Sequence, residues 1–373
     1  MEEAAGERVR VGVVGGGLVA QAVHLPHLHD LGDRFAVAGL AEPDARRREW
    51  LAGHWRIPLA CAGHEELIER GGLDAVLVCS PNGTHAQVVL AALAAGLHVL
   101  VEKPLCITAA DASCIVAARD RCDRVVQVGY MKRFDPAYEA LVEDVRGARE
   151  RILHLATLTY DPELAPAFAP AGAPPASIPT AAGPDSTTAA QVAEAVGSEH
   201  PADAARFSDV FLGALVHDVN LAHGILDAAG TRPGAPVDAF AAPDGSAAGG
   251  AVALGGGARW TMAWLRIPGL GDFRERVELF TDAGVRALEF AAPYLRQAPT
   301  AYRHSAGAGG ANVARALRSW RGSYATQLLH FHDCVTRGLA CLTPPEQAAR
   351  DIALLTALYR EQLGAGAAGR RAA

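Results

Sequence analysis

The sequence predicts an α/β domain with a mainly parallel sheet, followed by an α+β domain built on a large, mainly antiparallel sheet. Three observations carry that prediction. Over residues 9–128, short continuous Val/Leu/Ala runs alternate with segments of helical period, as in strands buried on both faces and joined by crossover helices. A glycine-rich turn stands directly behind the first of those runs. Beyond Tyr130, strand-like runs follow one another without intervening helices, the pattern of an antiparallel sheet.

In the first part, strands read at Val9–Val14, Phe35–Ala41, Ala75–Cys79, His98–Val101 and Val125–Val128. Helical segments lie near 18–31, 43–54, 64–70, 83–95 and 108–120. In the second part, a helix at about 135–146 precedes a strand at 152–160. Further strands fall near 237–241, 251–254, 258–267, 273–281 and 284–290, and two helices, 324–337 and 345–362, close the chain. Residues 161–207 form a Pro/Ala-rich insertion with one helix at 187–196, for which Ser186 is a suitable cap. The insertion is too long for an ordinary connection, and reads either as surface decoration or as a wall over a substrate. The expected division is therefore a dinucleotide-binding domain at 1–130 and a substrate and oligomerisation domain at 131–373.

Composition narrows the classes. Half of the 373 residues are apolar and a fifth charged, which suits a folded chain with ample core. The net charge of −7, with no basic tract beyond Arg46, Arg47 and Arg48, argues against a nucleic-acid partner. No run approaches the ~18 apolar residues of a membrane span, and the acidic start Met1–Glu7 carries no export signal. Seven scattered cysteines without a C-x-x-C read as reduced thiols in a cytoplasmic chain, and no metal site is expected.

The turn Gly15-Gly16-Gly17-Leu18-Val19-Ala20 is G-x-G-x-x-A between a strand and a helix, the Rossmann context in which the pattern has meaning. Gly15 permits the tight turn, Gly17 lets the backbone approach a pyrophosphate, and small Ala20 allows close packing. The helix start at Leu18 and Val19 offers N–H groups and a positive dipole to the phosphates. Glu42 ends the second strand, 25 residues past Gly17, where a carboxylate accepts the adenosine ribose hydroxyls and repels a 2′-phosphate; NAD is the expected cofactor. Arg46–Arg48 read as a solvated helix face, with NADP possible if they meet a phosphate instead. Ser80, Pro81, Asn82 and His85 lie in the loop after the Ala75–Cys79 strand, at the carboxyl ends where such sheets bind ligands. His85 reads either as a cofactor contact or as a helix-start polar residue.

Only two lysines occur, Lys103 in Val99-Leu100-Val101-Glu102-Lys103-Pro104 and Lys132 in Gly129-Tyr130-Met131-Lys132-Arg133-Phe134. A compact ammonium that shifts its proton affinity is something arginine cannot replace. Tyr130, Met131, Lys132 and Arg133 follow a strand end and are expected to line a polyol pocket, although Arg133 is equally suited to pinning an interface.

These segments resemble the glucose–fructose oxidoreductase / inositol dehydrogenase / rhizopine-catabolism (Gfo/Idh/MocA) oxidoreductases in order and spacing. The resemblance rests on 11–17 with His24-Leu25-Pro26, on Pro81-Asn82-Gly83-Thr84-His85, on Gly96 to Pro104, and on Gln127 to Tyr130 with Arg133-Phe134. It thins through the insertion and returns at Leu329-His330-Phe331. It implies hydride transfer between a nicotinamide and a carbinol or ketone carbon of a sugar, cyclitol or glycoside. Lys103 would then lie beside the reacting oxygen, Glu102 would orient Lys103 and the ribose, and the assembly would be a homodimer or homotetramer. An ammonium there stabilises charge developing on oxygen as hydride leaves. The family's second signature, D-x-x-x-H with an Asp three residues on, matches here at His217, the implied general base. Gly213 and Asn220 stand where the acids are expected. Two other readings stay open: a redox-neutral enzyme that uses tightly held NAD for elimination or epimerisation, and a dinucleotide-binding regulator without catalysis.

Overall fold

The computed structural model describes residues 8–70, 72–163, 184–296, 298–308 and 311–372. It resolves into two compact units, one of residues 1–130, 165–191 and 324–349, the other of residues 131–164, 192–323 and 350–373.

The first unit holds a six-stranded parallel sheet: β1 (Val9–Val14), β2 (Phe35–Ala41), β3 (Ala60–Cys61), β4 (Ala75–Val78), β5 (His98–Val101) and β6 (Val126–Val128), in the order β3-β2-β1-β4-β5-β6. All four residues of β4 are buried, as a central strand covered on both faces requires. β3, absent from the sequence reading, has only two residues. It is a strand only because Leu40 and Ala41 pair with it. Val11, Val13, Leu77 and Leu100 form the core with Leu328 and Phe331 of helix Ser323–Arg337. The strand order reverses between β1 and β4, and the carboxyl ends at such a reversal are where sheets of this kind bind ligands.

The second unit is an eight-stranded sheet, mainly antiparallel: β7 (Ile152–Asp161), β8 (Pro236–Ala241), β9 (Ala247–Ala253), β10 (Arg259–Arg266), β11 (Arg274–Thr281), β12 (Gly284–Phe290), β13 (Thr300–Ala308) and β14 (Ala311–Ser319). Their order is β14-β13-β12-β11-β7-β10-β9-β8. The one parallel pair is β7 with β10, because the chain leaves β7 for the insertion and helices before the β8–β10 meander returns beside it. Helix Val216–Ala228 packs on β7, and Trp260 is fully buried. Strands β13 and β14 escape the sequence reading because Ala, Gly, Ser and Arg dominate them. Register of β13 against β12, from Glu289↔Ala301 to Gly284↔Ala306, and of β14 against β13 makes them strands. Part of the Pro/Ala-rich insertion, 164–183, lies outside the described residues. Its helix runs Ser186–Val196, and Asp185 rather than Ser186 caps it, accepting from Thr188 N at 2.9 Å.

Candidate active site

In the first unit the glycine turn is built to leave room. Gly15 has φ +94°, and a Cβ there would lie 2.6 Å from the backbone of Cys79 and Ser80, so the turn after β1 lies against the loop after β4. A Cβ on Gly17 would meet nothing within 4 Å, which leaves open space over the helix start where Leu18 and Val19 are half-exposed. That is the shape a pyrophosphate needs. The helix then widens over Ala20–His24, where Leu25 N–H reaches back to Ala20 O. Glu42, 3% exposed, closes the other side of the turn. Its Oε2 accepts from Gly16 N (2.8 Å), and its Oε1 accepts from Asp44 N (2.9 Å) and Arg47 Nη1 (3.1 Å). Arg48 donates to the Glu42 carbonyl at 2.7 Å, while Arg46 stays exposed. Of the three arginines, two are thus folded back onto the end of β2.

The end of β5 carries the reactive candidates. Glu102 N–H donates to Val78 O at 2.9 Å, and Gly129 N–H to Val101 O at 2.7 Å, which fixes this strand end between β4 and β6. The Glu102 carboxylate accepts from Nε2 of His24 at 2.7 Å through Oε1, and from Lys103 N–H at 3.2 Å through Oε2. Burial alone would raise the Glu102 pKa. The His24 hydrogen bond and the charges of His24 and Lys103 outweigh it and hold the carboxyl below its ordinary value. His24 is fully buried, with its ring edge-on to Tyr324 at 5.9 Å. Gly129 lacks a side chain where Glu102 packs: a Cβ there would lie 3.1 Å from it. Lys103 itself is half-exposed, and the Lys103–Pro104 peptide is cis.

His85 is 1% exposed. Its Nδ1 lies 2.7 Å from the Pro104 carbonyl and its Nε2 2.8 Å from the Ser80 carbonyl. Burial lowers the His85 pKa, so the neutral ring donates its one N–H to one of these two carbonyls, and His85 lies between the β4 loop and the Lys103–Pro104 turn. Ser80 and Asn82 are half-exposed, Pro81 exposed, and Thr84 Oγ1 donates to Ser80 Oγ at 2.7 Å.

In the second unit, Met131, Lys132 and Arg133 are all buried, and Tyr130, the last residue of the first unit, is 1% exposed. Lys132 Nζ pairs with Glu275 Oε2 on β11 and sits over the Phe290 ring at 5.6 Å. Close by, Asp218 accepts from Thr159 Oγ1 at 3.2 Å. Burial, then the charge of Glu275, pushes Asp218 up to about 8 against the opposing pull of Lys132. Arg133 donates to Asn220 Oδ1 at 3.3 Å and lies over the Tyr138 ring at 5.5 Å. Asn220 Nδ2 donates to Asp351 Oδ2 (2.7 Å), whose Oδ1 accepts from His223 Nδ1 (2.5 Å). Asn220 therefore stands in a fully buried network whose acid is Asp351. His217 is half-buried on helix Val216–Ala228, directly after a widened helical stretch, Arg206–Leu215, that contains Gly213.

The structure thus gathers Gly15, Gly17, Glu42, Ser80, His85, Glu102 and Lys103 around linked strand ends. Sequence reasoning had no role for Glu275 and Asp351, and named His24 only within the motif His24-Leu25-Pro26. The period of that segment reads as an ordinary helix, and nothing local announces that a histidine 78 residues from Glu102 is its partner. Among the described residues no cluster of three His, Cys, Asp or Glu could hold a metal ion, and no helix is long and apolar enough to cross a membrane.

Residues 9–130 match the model of an oxidoreductase family with an NAD-binding Rossmann fold. The rhizopine catabolism protein MocA of Rhizobium meliloti is 34% identical over 160 residues, covering 43% of this chain and 49% of that protein. An inositol 2-dehydrogenase of Corynebacterium glutamicum is 34% identical over 158 residues, covering 42% and 47%. The matched stretch spans about half the length of these relatives. The fold extends over the whole chain. A dehydrogenase from Chromobacterium violaceum superposes with a TM-score of 0.71 at 18% identity, covering 98% of this chain and 99% of that one. The apo scyllo-inositol dehydrogenase of Lactobacillus casei superposes with 0.69 at 14% identity, covering 95% and 96%. Residues 9–130, which carry the glycine turn and the Glu102-Lys103-Pro104 strand end, are thus similar to the NAD-binding Rossmann domain of the Gfo/Idh/MocA oxidoreductases.

Proposed function

We propose that this chain is an NAD-dependent oxidoreductase that transfers hydride between the nicotinamide and a carbinol or ketone carbon of a sugar, cyclitol or glycoside. The observation that carries the reading is the end of β5. There a buried Glu102, held ionised by His24, accepts the Lys103 N–H and sets the start of the Lys103–Pro104 turn. The relatives named for inositol oxidation support the substrate class.

When bound, the nicotinamide supplies the hydride acceptor or donor; the chain supplies placement and proton handling. Leu18 and Val19 at the helix start, with the open space over Gly17, suit the pyrophosphate, and Glu42 suits the ribose hydroxyls, favouring NAD. Ser80, Pro81 and Asn82, in the loop after β4 that lies against Gly15, are proposed to face the cofactor from the other side. Lys103 holds the substrate oxygen and stabilises negative charge as the carbinol is oxidised. His217 is proposed as proton acceptor, and Tyr130 as a polyol contact. Lys132 and Arg133 are spent on Glu275 and Asn220, and act as supports for such a pocket rather than as free hydrogen-bond donors.

The test is a spectrophotometric screen of NAD and NADP with a cyclitol and sugar panel. NADH formation that vanishes on Lys103→Ala supports the reading. Intact NAD binding with no hydride transfer to any member sinks it. Gly213, in place of the acid that the family motif carries one turn before the histidine, favours a second reading. In that reading NAD stays bound through a redox-neutral elimination or epimerisation, recognised by turnover without net NADH.

A further inference from the structure

The helix of the Pro/Ala-rich insertion sits on the cofactor loop. Asp185 accepts from Thr188 N through Oδ1 (2.9 Å) and from Thr188 Oγ1 through Oδ2 (3.1 Å), so the Thr188 side chain is locked, 4% exposed. One turn on, Gln191 Nε2 donates to the Gly83 carbonyl at 3.1 Å. A Cβ on Gly83 would lie 2.4 Å from Thr188 Oγ1 and 3.2 Å from Gln191 Oε1, so only glycine fits beneath the helix. Gln191 Oε1 is buried and accepts nothing among the described residues. These residues all belong to the first unit. Residues 80–83 leave β4, which with β1 brackets the reversal of strand order where dinucleotides bind. The loop touches the glycine turn at Gly15, and His85 holds its far end.

We propose that the first two turns of the insertion helix, through Thr188 and Gln191, are a positioning element of the dinucleotide site. They brace the Ser80–Gly83 loop in its binding form and slow the escape of bound cofactor. The inference rests on the NAD-binding reading above. A loop already ordered by protein contacts loses less entropy when a ligand binds, so the brace appears as tighter binding and slower release.

The experiment follows NADH bound to the full chain by fluorescence, with equilibrium titration and stopped-flow displacement by excess NAD. Wild type is compared with Gln191→Ala, Gly83→Ala, Thr188→Ala and the Gly83→Ala/Thr188→Ala double variant, each checked for folding by circular dichroism. Loss of one hydrogen bond and its ordering is expected to speed release about tenfold in Gln191→Ala, and Gly83→Ala at least as much. The double variant should return to the rate of Thr188→Ala alone, because the added Cβ fills the space of Oγ1. That rescue distinguishes a positioned loop from general damage. Should Gly83→Ala fail to fold, the Gln191→Ala rate alone decides. Release within twofold of wild type in folded Gln191→Ala overturns the proposal while leaving NAD binding intact. If wild type binds neither NADH nor NADPH, the cofactor reading falls and takes this one with it.

Discussion

Asp218→Asn should make the second unit more stable at pH 7 than the native chain, relative to pH 5. Asp218 is 1% exposed and shares its surroundings with Glu275 and Lys132, and its pKa is pushed up to about 8 from an ordinary 3.8. The folded state therefore keeps a proton that the unfolded chain has released across the window between those values. Stability falls as pH rises through it, by up to about 1.4 kcal/mol per pH unit. Between pH 5 and 7 the full slope is about 3 kcal/mol. Because the opposing charges of Glu275 and Lys132 act on Asp218 together, about 2–3 kcal/mol is the expected effect. Asparagine keeps an acceptor for the Thr159 hydroxyl and carries no titrating proton, so the variant should lack this slope. Native-state hydrogen exchange of the amides in Val216–Ala228 measures the opening free energy where the group sits. The variant-minus-wild-type difference should grow in favour of the variant by that amount from pH 5 to pH 7. An equal difference at both pH values would show that Asp218 is already ionised in the folded chain and would refute the reasoning.

Lys103→Ala should lower kcat by ~10²–10⁴ while the NADH dissociation constant stays within about threefold, read by steady-state kinetics and fluorescence titration; a matching loss of cofactor affinity would instead make Lys103 a binding residue. Glu42→Gln removes the charge that holds Arg47, leaving the guanidinium available to a 2′-phosphate. The ratio of NADPH to NADH affinity should rise ~10-fold or more, and an unchanged ratio counts against Glu42 as the discriminator. His24→Leu strips the buried Glu102 carboxylate of its donor and should cost about 2–4 kcal/mol at pH 7. Glu102 is held below its ordinary pKa, so its stabilising contribution is present above pH about 4.5 and is lost as pH falls through the lowered value. Thermal melts of wild type and variant should therefore converge as pH falls below about 4.5, and parallel curves would contradict the ion-pair reading.

The Rossmann half of this protein is legible in one dimension because its determinants are local. Ala75–Val78 and Val99–Val101 appear as continuous apolar runs since a strand buried on both faces has no polar side. Gly15 announces the turn because a backbone at φ +94° excludes other residues. Glu42 and Lys103 are readable because they close such strands. The short strand β3 and the hairpin β13–β14 are not, since partner strands rather than their own propensity make them extended.

The partners of the chemical groups also lie beyond local reading. Sequence alone determined that a carboxylate and a lysine end β5, that Lys103 and Lys132 are the only two lysines, and that the acids expected around His217 are replaced by Gly213 and Asn220. Tertiary structure decided what each charge meets. Glu102 finds His24, Lys132 is consumed by Glu275, Asn220 is anchored by Asp351, and the helix of the insertion seats Gln191 on Gly83. The physical reason is range. Backbone conformation and strand burial are set by residues a few places apart, whereas a buried charge is satisfied by whatever group the fold delivers, 78 residues away for Glu102 and 143 for Lys132.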